Sequence, residues 1–425
     1  MMTKKTLKNG LIIIHNQREN SKIVDVRLVV KAGKYYNAIY SNTPGLAHFL
    51  EHVVHEKTEK YSSKSELVSI VENYGGVRNA ATSNTEKMIF FATVLNDFSE
   101  NAFDYISQIA FHSRFDDKSV IKHKNIIKEE LLSTFKKSDI KVRNLFESLA
   151  YQNTEFIHHT LGTEESIESI DLDELKNYYK TRFTPDNSIL CVSGDISLDK
   201  CEEFVNRYFT NIPVNESLKE TFDKDSVIKI ITENTEKKQA TVLVQDKQAV
   251  INFGAKYIRF DDSQYFKQLV LLGVLTYSGN SILNKKLREE NNIVYNVSGS
   301  INGNKLFGSF YFTLNTQSHN IQKSLDIIKE ELLKISIEGV KIDDMNRTKK
   351  IIQTREVFAN QQVHAEAFKD ADIQVSFNDL KNSEDWLNEI MKISDDDIKD
   401  TAKWLHDNLN ILAVSSNEEG IKYEF

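Results

Sequence analysis

Two distant segments of the chain share one layout. Val24 to Tyr35 reads VDVRLVVKAGKY and Gln248 to Tyr257 reads QAVINFGAKY, each an alternating strand that ends in a Gly-containing segment ahead of a helix. A duplicated fold is therefore expected. In the first copy the helix that follows carries histidines, whereas the matching second-copy segment, Tyr265 to Leu275, reads YFKQLVLLGVL and offers no metal ligand. At 425 residues the chain fits two domains of about 200 residues each. The polar stretch from Val214 to Asp225 follows Pro213 and interrupts the apolar pattern. The expected division is a first domain over 1–214, a linker over 215–225 and a second domain over 226–425. Strands such as Lys87 to Leu95 and Ser188 to Ser193 alternate with long amphipathic helices, and Gly (15) and Pro (3) are scarce, so an α+β fold with helix-covered sheets fits better than a sandwich or a bundle.

Composition excludes several function classes. No apolar run approaches the roughly 18 residues of a membrane span. Leu11 to Ile14 is too short for a secretory segment and is read as a strand, which points to a cytoplasmic protein. A net charge of −8 without a basic block argues against nucleic-acid binding. Cys191 and Cys201 are the only cysteines and are read as free thiols.

The chemistry lies after Thr43, read as N-cap, and Pro44, read as the first helical residue. Leu46, Phe49, Leu50, Val53 and Val54 recur at i, i+3, i+4, i+7 and i+8 and form a core face. The other stripe is His48, Glu51, His52 and His55. Imidazoles at i and i+4 lie one turn apart and can meet one zinc ion, with the glutamate at i+3 on the same side. With 11 histidines, a chance H-x-x-E-H is expected in only about 0.02 such sequences. A catalytic zinc generally takes a third protein ligand. The helix from Asp117 to Lys137 offers Glu129 and Glu130. Glu130 shares a face with His123 and Ile127, whereas Glu129 is turned about 100° away.

These residues resemble the pitrilysin family of inverted-motif zinc peptidases, especially its members of about 400 residues similar to the mitochondrial processing peptidase subunits. GLAHFLEHVV followed by TEKYS resembles the family's signature helix and its exit, GGVRNAATS its Gly-Gly-x-x-Asn-Ala loop, and NIIKEELL the segment bearing the third ligand. LGTEESI, TPDNSILCVSGDI and LREENNIVYNV extend the match in order over most of the chain. The resemblance implies two similar halves, each a mostly antiparallel sheet packed with helices. It implies one zinc ion per chain on His48, His52 and Glu130, with Glu51 as the general base that activates zinc-bound water. Arg288 and Tyr295 would bind substrate and support the tetrahedral intermediate, and Asn79 with Ala80 would contact the substrate backbone beside an edge strand. Three departures stand out: His55 where the family usually has Phe, Lys57 where it has Gly, and His123 where many members have Glu. His55 and His123 are read either as adding polar contacts near the metal or as facing solvent.

The implied activity is that of a bacterial zinc endopeptidase that hydrolyses short or unfolded peptides in a chamber, or removes the leader of one gene-encoded peptide. The expected assembly is a homodimer, or a heterodimer with a homologous subunit. The competing readings are a non-catalytic peptide-binding partner subunit and a zinc hydrolase acting on a non-peptide substrate. The intact set His48, Glu51, His52 and Glu130 argues against the first, and nothing outside the metal helix supports the second.

Overall fold

The computed structural model describes residues 2–41, 43–83, 85–214, 224–233, 235–259, 263–377, 382–417 and 422–425. Residues 215–223 of the expected linker lie outside these, and 224–225 open a helix, Lys224–Glu233.

Alternating apolar segments build two sheets. The first contains β1 (Met2–Thr6), β2 (Ile12–Gln17), β3 (Ile23–Val30), β4 (Val77–Thr82), β5 (Met88–Leu95) and β6 (Ser188–Gly194), in the order β1-β2-β6-β3-β5-β4. The second contains β7 (Lys238–Leu243), β8 (Ala249–Ile258), β9 (Val294–Gly303), β10 (Phe307–Thr316) and β11 (Ile411–Ser416), in the order β7-β11-β8-β10-β9. Setting β1 aside, the two orders coincide strand for strand. β2 runs parallel to β6 as β7 does to β11, and the remaining neighbours are antiparallel in both. The α+β class and the two similar halves are thus observed. The repeated segments seen in the sequence are the central strands β3 and β8.

One face of each sheet carries its own core. Val26, Leu28, Phe90 and Ala92 pack with Phe49, Leu50 and Val53 in the first half, and Ile251, Phe253, Phe310 and Phe312 pack with Leu271 and Leu275 in the second. The opposite faces are covered by an exchange between halves. Val142 and Phe146, on the helix Ser138–Ala150, cluster with Val250, Tyr311 and Ala413 of the second sheet. Ala367, Ala371 and Val375, on the helix Ala365–Ser376, cluster with Ile14, Val29 and Cys191 of the first. Burying apolar area stabilises by roughly 25 cal/mol per Å², so these two clusters hold the halves together by side-chain packing. Cys191 and Cys201 are free and buried, as expected.

Two local expectations are corrected. The strand ends at Val30 ahead of its Gly-containing segment, as expected, but the helix that directly follows is Lys34–Tyr40, with Tyr35 and Tyr36 buried, and the histidine helix comes only after it. Gly33 lies so close to the β4–β5 hairpin that a Cβ there would sit 2.5 Å from the Thr85 carbonyl oxygen, and the chain turns at that contact. The metal-motif helix begins at Leu46 with Gly45 at its N-cap, at φ 88°, in place of Thr43. No described helix is long and apolar enough to cross a membrane.

Candidate metal site

The helix Leu46–Val53 buries Leu46, Phe49, Leu50 and Val53 and turns His48, Glu51 and His52 the other way. Its N-terminus is pinned by distant groups. The Asn37 side chain accepts from the Ala47 N–H at 3.1 Å and donates to the Thr43 carbonyl at 3.1 Å. The Ser166 hydroxyl donates to the Pro44 carbonyl at 2.8 Å. Gly45 lies against Leu161 and Gly162, so closely that a Cβ on Gly45 would sit 2.7 Å from the Leu161 carbonyl oxygen. Only a residue without a side chain combines that approach with a positive φ.

The third group comes from the helix Asp117–Thr134, which starts at Asp116, whose side chain accepts from the Ser119 N–H. Val120, His123 and Ile127 are buried on it, and Glu130 reaches the histidines. His48 Nε2 lies 3.7 Å from Glu130 Oε1, and His52 Nε2 lies 3.4 Å from Glu130 Oε2. One donor atom from each of the three residues falls within 4.8 Å of the others. Donors in a tetrahedral zinc site lie roughly 3.4 Å apart, so the His–Glu contacts are already near that spacing, and the set as a whole closes on zinc with side-chain shifts of up to about 1.4 Å. Burial, reinforced by His52, pushes His48 down to about 4 and keeps it a neutral ligand. Its buried Nδ1 has no partner among the described residues. A hydrogen bond with His52 holds Glu130 below the ordinary carboxylate range.

Glu51 is oriented from β4, where the Thr82 hydroxyl donates to its Oε2 at 2.7 Å. Burial raises the Glu51 carboxyl and outweighs that bond, the direction a proton-accepting group near neutral pH requires. β4 is the edge of its sheet and alternates between exposed and half-buried residues. Asn79 is exposed on it, and its side chain accepts from the Ala80 N–H at 2.9 Å. The edge strand with Asn79 and Ala80 and the metal helix therefore meet through Thr82.

Arg288 sits on a π-helical turn, Asn284–Glu290, and Tyr295 is 73% exposed on the edge strand β9. Among the described residues, no hydrogen bond or ion pair links either to His48, His52 or Glu130.

His55 and His123 do not face solvent. His55 is buried, its Nδ1 lies 3.1 Å from the Tyr105 hydroxyl, and burial pushes it down to about 3. His123 is 2% exposed, its Nε2 lies 2.8 Å from Glu56, and its ring centroid is 5.7 Å from that of His52. Both partners are distant in sequence, which is why periodicity alone left the choice between solvent and contacts near the metal open. Lys57 pairs with Asp116 at 2.6 Å. Asn37, Gly45, Thr82 and Gly162 escaped sequence reading, and only the GGVRNAATS and LGTEESI segments hinted at the last two.

Two family profiles match the chain. "Insulinase (Peptidase family M16)" covers residues 12–164, and "Peptidase M16 inactive domain" covers 169–352. The chain belongs to the M16 family. The first match spans the triad and Glu51, and the second spans Arg288 and Tyr295. Among relatives, this M16 chain is similar to the "Uncharacterized zinc protease YmxG" of Bacillus subtilis (strain 168), at 24% identity over 92% of each chain. It is also similar to the mitochondrial-processing peptidase subunit beta of Neurospora crassa, at 29% identity over 49% of this chain and 43% of that one. Less than half of the latter's length is therefore matched. Among solved structures, a protease from Helicobacter pylori superposes with a TM-score of 0.86 at 18% identity, covering 98% of this chain and 99% of that one. A structure described as a peptidase M16 inactive domain, from Pseudomonas fluorescens, gives 0.80 at 15% identity, covering 99% of each. At such identities these likenesses show the fold.

Proposed function

We propose that this M16 chain is a zinc-dependent endopeptidase of the bacterial cytoplasm that hydrolyses short or unfolded peptides, with leader removal from a gene-encoded peptide as a specialised form of the same reaction. The observation that carries this reading is the convergence of His48, His52 and Glu130 within 4.8 Å beside Glu51 and an open edge strand. Held by those three residues, zinc would supply a Lewis acid that polarises the scissile carbonyl and acidifies water. Glu51, steadied by Thr82, takes the proton of the attacking water and passes it to the leaving amine. An extended peptide adds to β4 past Asn79 and Ala80, bound mainly by main-chain hydrogen bonds that impose little sequence preference.

Arg288 and Tyr295 bind the substrate and support the tetrahedral oxyanion. The metal ligands lie in the first half and Arg288 and Tyr295 in the second, so the peptide is held between the two halves and their closure assembles the site and excludes water. The assembly proposed is a homodimer, or a heterodimer with a homologous subunit, enclosing a chamber. The proposed division into a zinc-bearing domain over 1–214, a linker over 215–225 and a second domain over 226–425 is supported by the two sheets drawing on residues 2–194 and 238–416. The rival reading, a non-catalytic partner subunit, finds a precedent in the description of the Pseudomonas neighbour but none in the ligand set, which is complete.

Cleavage of a quenched mixed peptide library by the purified chain, with and without chelator and alongside metal analysis, tests the proposal. Chelator-sensitive cleavage by a zinc-loaded chain is expected. Stoichiometric zinc with no cleavage would favour the partner-subunit reading.

A further inference from the structure

The second half has a cavity of about 430 Å³, away from the triad, that nothing above uses. It opens where β8 outruns its neighbour. β11 pairs with β8 only over Ile251–Gly254, whereas β10 accompanies β8 to Ile258. The last residues of β8 thus have one open edge. The Gly254 carbonyl accepts from Asn410 N–H on that side, and Val250 N–H donates there to Ser415. By strand alternation the main-chain N–H and C=O of Lys256 point the same way, and neither has a partner among the described residues.

Besides neutral Thr, Asn and Gln side chains, the cavity is lined by the ammonium groups of Lys256 and Lys267 and by the exposed carboxylate of Asp400. Lys256 contributes an ammonium with no counter-ion among the described residues, pushed down to about 8 by burial and then by Lys238. Lys267 also lines the space but is paired with Asp397 at 2.9 Å. Gln268, 4% exposed, has a buried Oε1 with no hydrogen-bond partner among the described residues. A buried polar atom left unpaired costs roughly 1–3 kcal/mol, so a donor arriving from a ligand finds a ready acceptor. The apolar lining includes Trp404, set edge-to-face against Tyr257 at 6.3 Å, and Ile231. A volume of this size is within the range of small-molecule pockets.

We propose that this cavity is a binding site for a small aromatic carboxylate carrying a hydrogen-bond donor. The carboxylate lies on the Lys256 ammonium and main-chain N–H, the ring lies against Trp404, and the donor meets Gln268 Oε1. The site stands on groups of the second half alone and does not depend on the metal reading.

The test is titration calorimetry of the full chain at neutral pH with 4-hydroxyphenylacetate, using its neutral amide and phenylacetate as controls. Saturable one-to-one binding of the hydroxyphenylacetate is expected. Loss of the charge in the amide, or of the cation in Lys256→Gln, should weaken it about tenfold or more. Loss of the donor in phenylacetate should weaken it by about fivefold, and Lys267→Gln should leave it within about twofold. Absence of saturation at millimolar ligand, or equal affinity for wild type and a folded Lys256→Gln, overturns the proposal. Should Lys256→Gln not fold, the wild type still decides: amine labelling of Lys256 near pH 8, read by mass spectrometry, is suppressed by 4-hydroxyphenylacetate and unaffected by its amide if the site exists, and equal labelling with both overturns it.

Discussion

The two halves are one scaffold put to different uses, and the helix following each central strand region shows why. In the second half Ser263–Thr276 buries Phe266, Val270, Leu271, Leu272, Val274 and Leu275 as core, and its remaining positions include no imidazole or carboxylate. In the first half Leu46–Val53 keeps one apolar face, and its other stripe is His48, Glu51 and His52. A helix without imidazole or carboxylate groups cannot hold a metal, whereas an amphipathic one that carries them on its polar stripe can, provided a second element covers the stripe with a matching group. Glu130 is that group. The edge strands differ as well: β4 reaches the metal helix through Thr82, whereas β9 carries the exposed Tyr295. The two halves thus share a frame, and among the described residues the ligand set stands on the first.

The contrast can be broken most severely at the ligands. His52→Ala should abolish stoichiometric zinc binding and bring peptide cleavage below about one-thousandth of wild type, as read by metal analysis and the quenched-peptide assay. Retention of both would mean that the polar stripe is only a solvated face.

The joint between the halves gives the next largest effect. Glu86 is fully buried on the β4–β5 hairpin, and its Oε1 accepts from Lys305 N–H of the second half at 2.7 Å. Nearby, Lys87 pairs with Asp372 of the second half. Burial raises Glu86 from 4.5 to about 7. The folded state therefore holds a proton that the unfolded state has released, and stability declines as pH rises from about 4.5 through about 7. Glu86→Gln removes that decline, so urea unfolding should show the variant gaining on wild type by up to about 3 kcal/mol across the window and by nothing more above it. Parallel pH profiles would show that Glu86 ionises freely.

Smaller again is the contrast between two glycines. Gly45→Ala sets a Cβ against Leu161 at positive φ and should cost about 2 kcal/mol. Gly279→Ala, in the second half, meets nothing within 4 Å and should be within about 0.5 kcal/mol of wild type. Comparable melting shifts in both would remove the argument for a close approach at the metal helix. Least of all, Thr82→Val deletes the bond to Glu51 and should lower kcat about tenfold with zinc content unchanged. An unaltered kcat would mean that Glu51 is oriented by other contacts.

Local periodicity was enough to read the metal helix, the strands around Val24 and Val250, the helix bearing Glu130 and the duplication. What it missed is non-local. Thr43 and Pro44 have the chemistry of a helix start, but the approach of Leu161 and Gly162 moves the N-cap to Gly45. The strand's end at a Gly-containing segment ahead of a helix was legible, but the short helix Lys34–Tyr40, set against the β4–β5 hairpin through Gly33, intervenes before the histidine helix. His55 continues the polar stripe by spacing, and its burial depends on Tyr105. His123 is covered through Glu56, and Glu51 is held by Thr82. None of these partners is within helical or strand reach of the residue it positions.

The most direct test of the central claim is Glu51→Gln, assayed for zinc and for cleavage of the quenched peptides beside the wild type. A peptidase built as described gives one zinc per chain in both proteins, chelator-sensitive cleavage by the wild type, and none by the variant. Equal cleavage by the two zinc-loaded proteins would contradict the role of Glu51, and a wild type that binds no zinc would contradict the site itself.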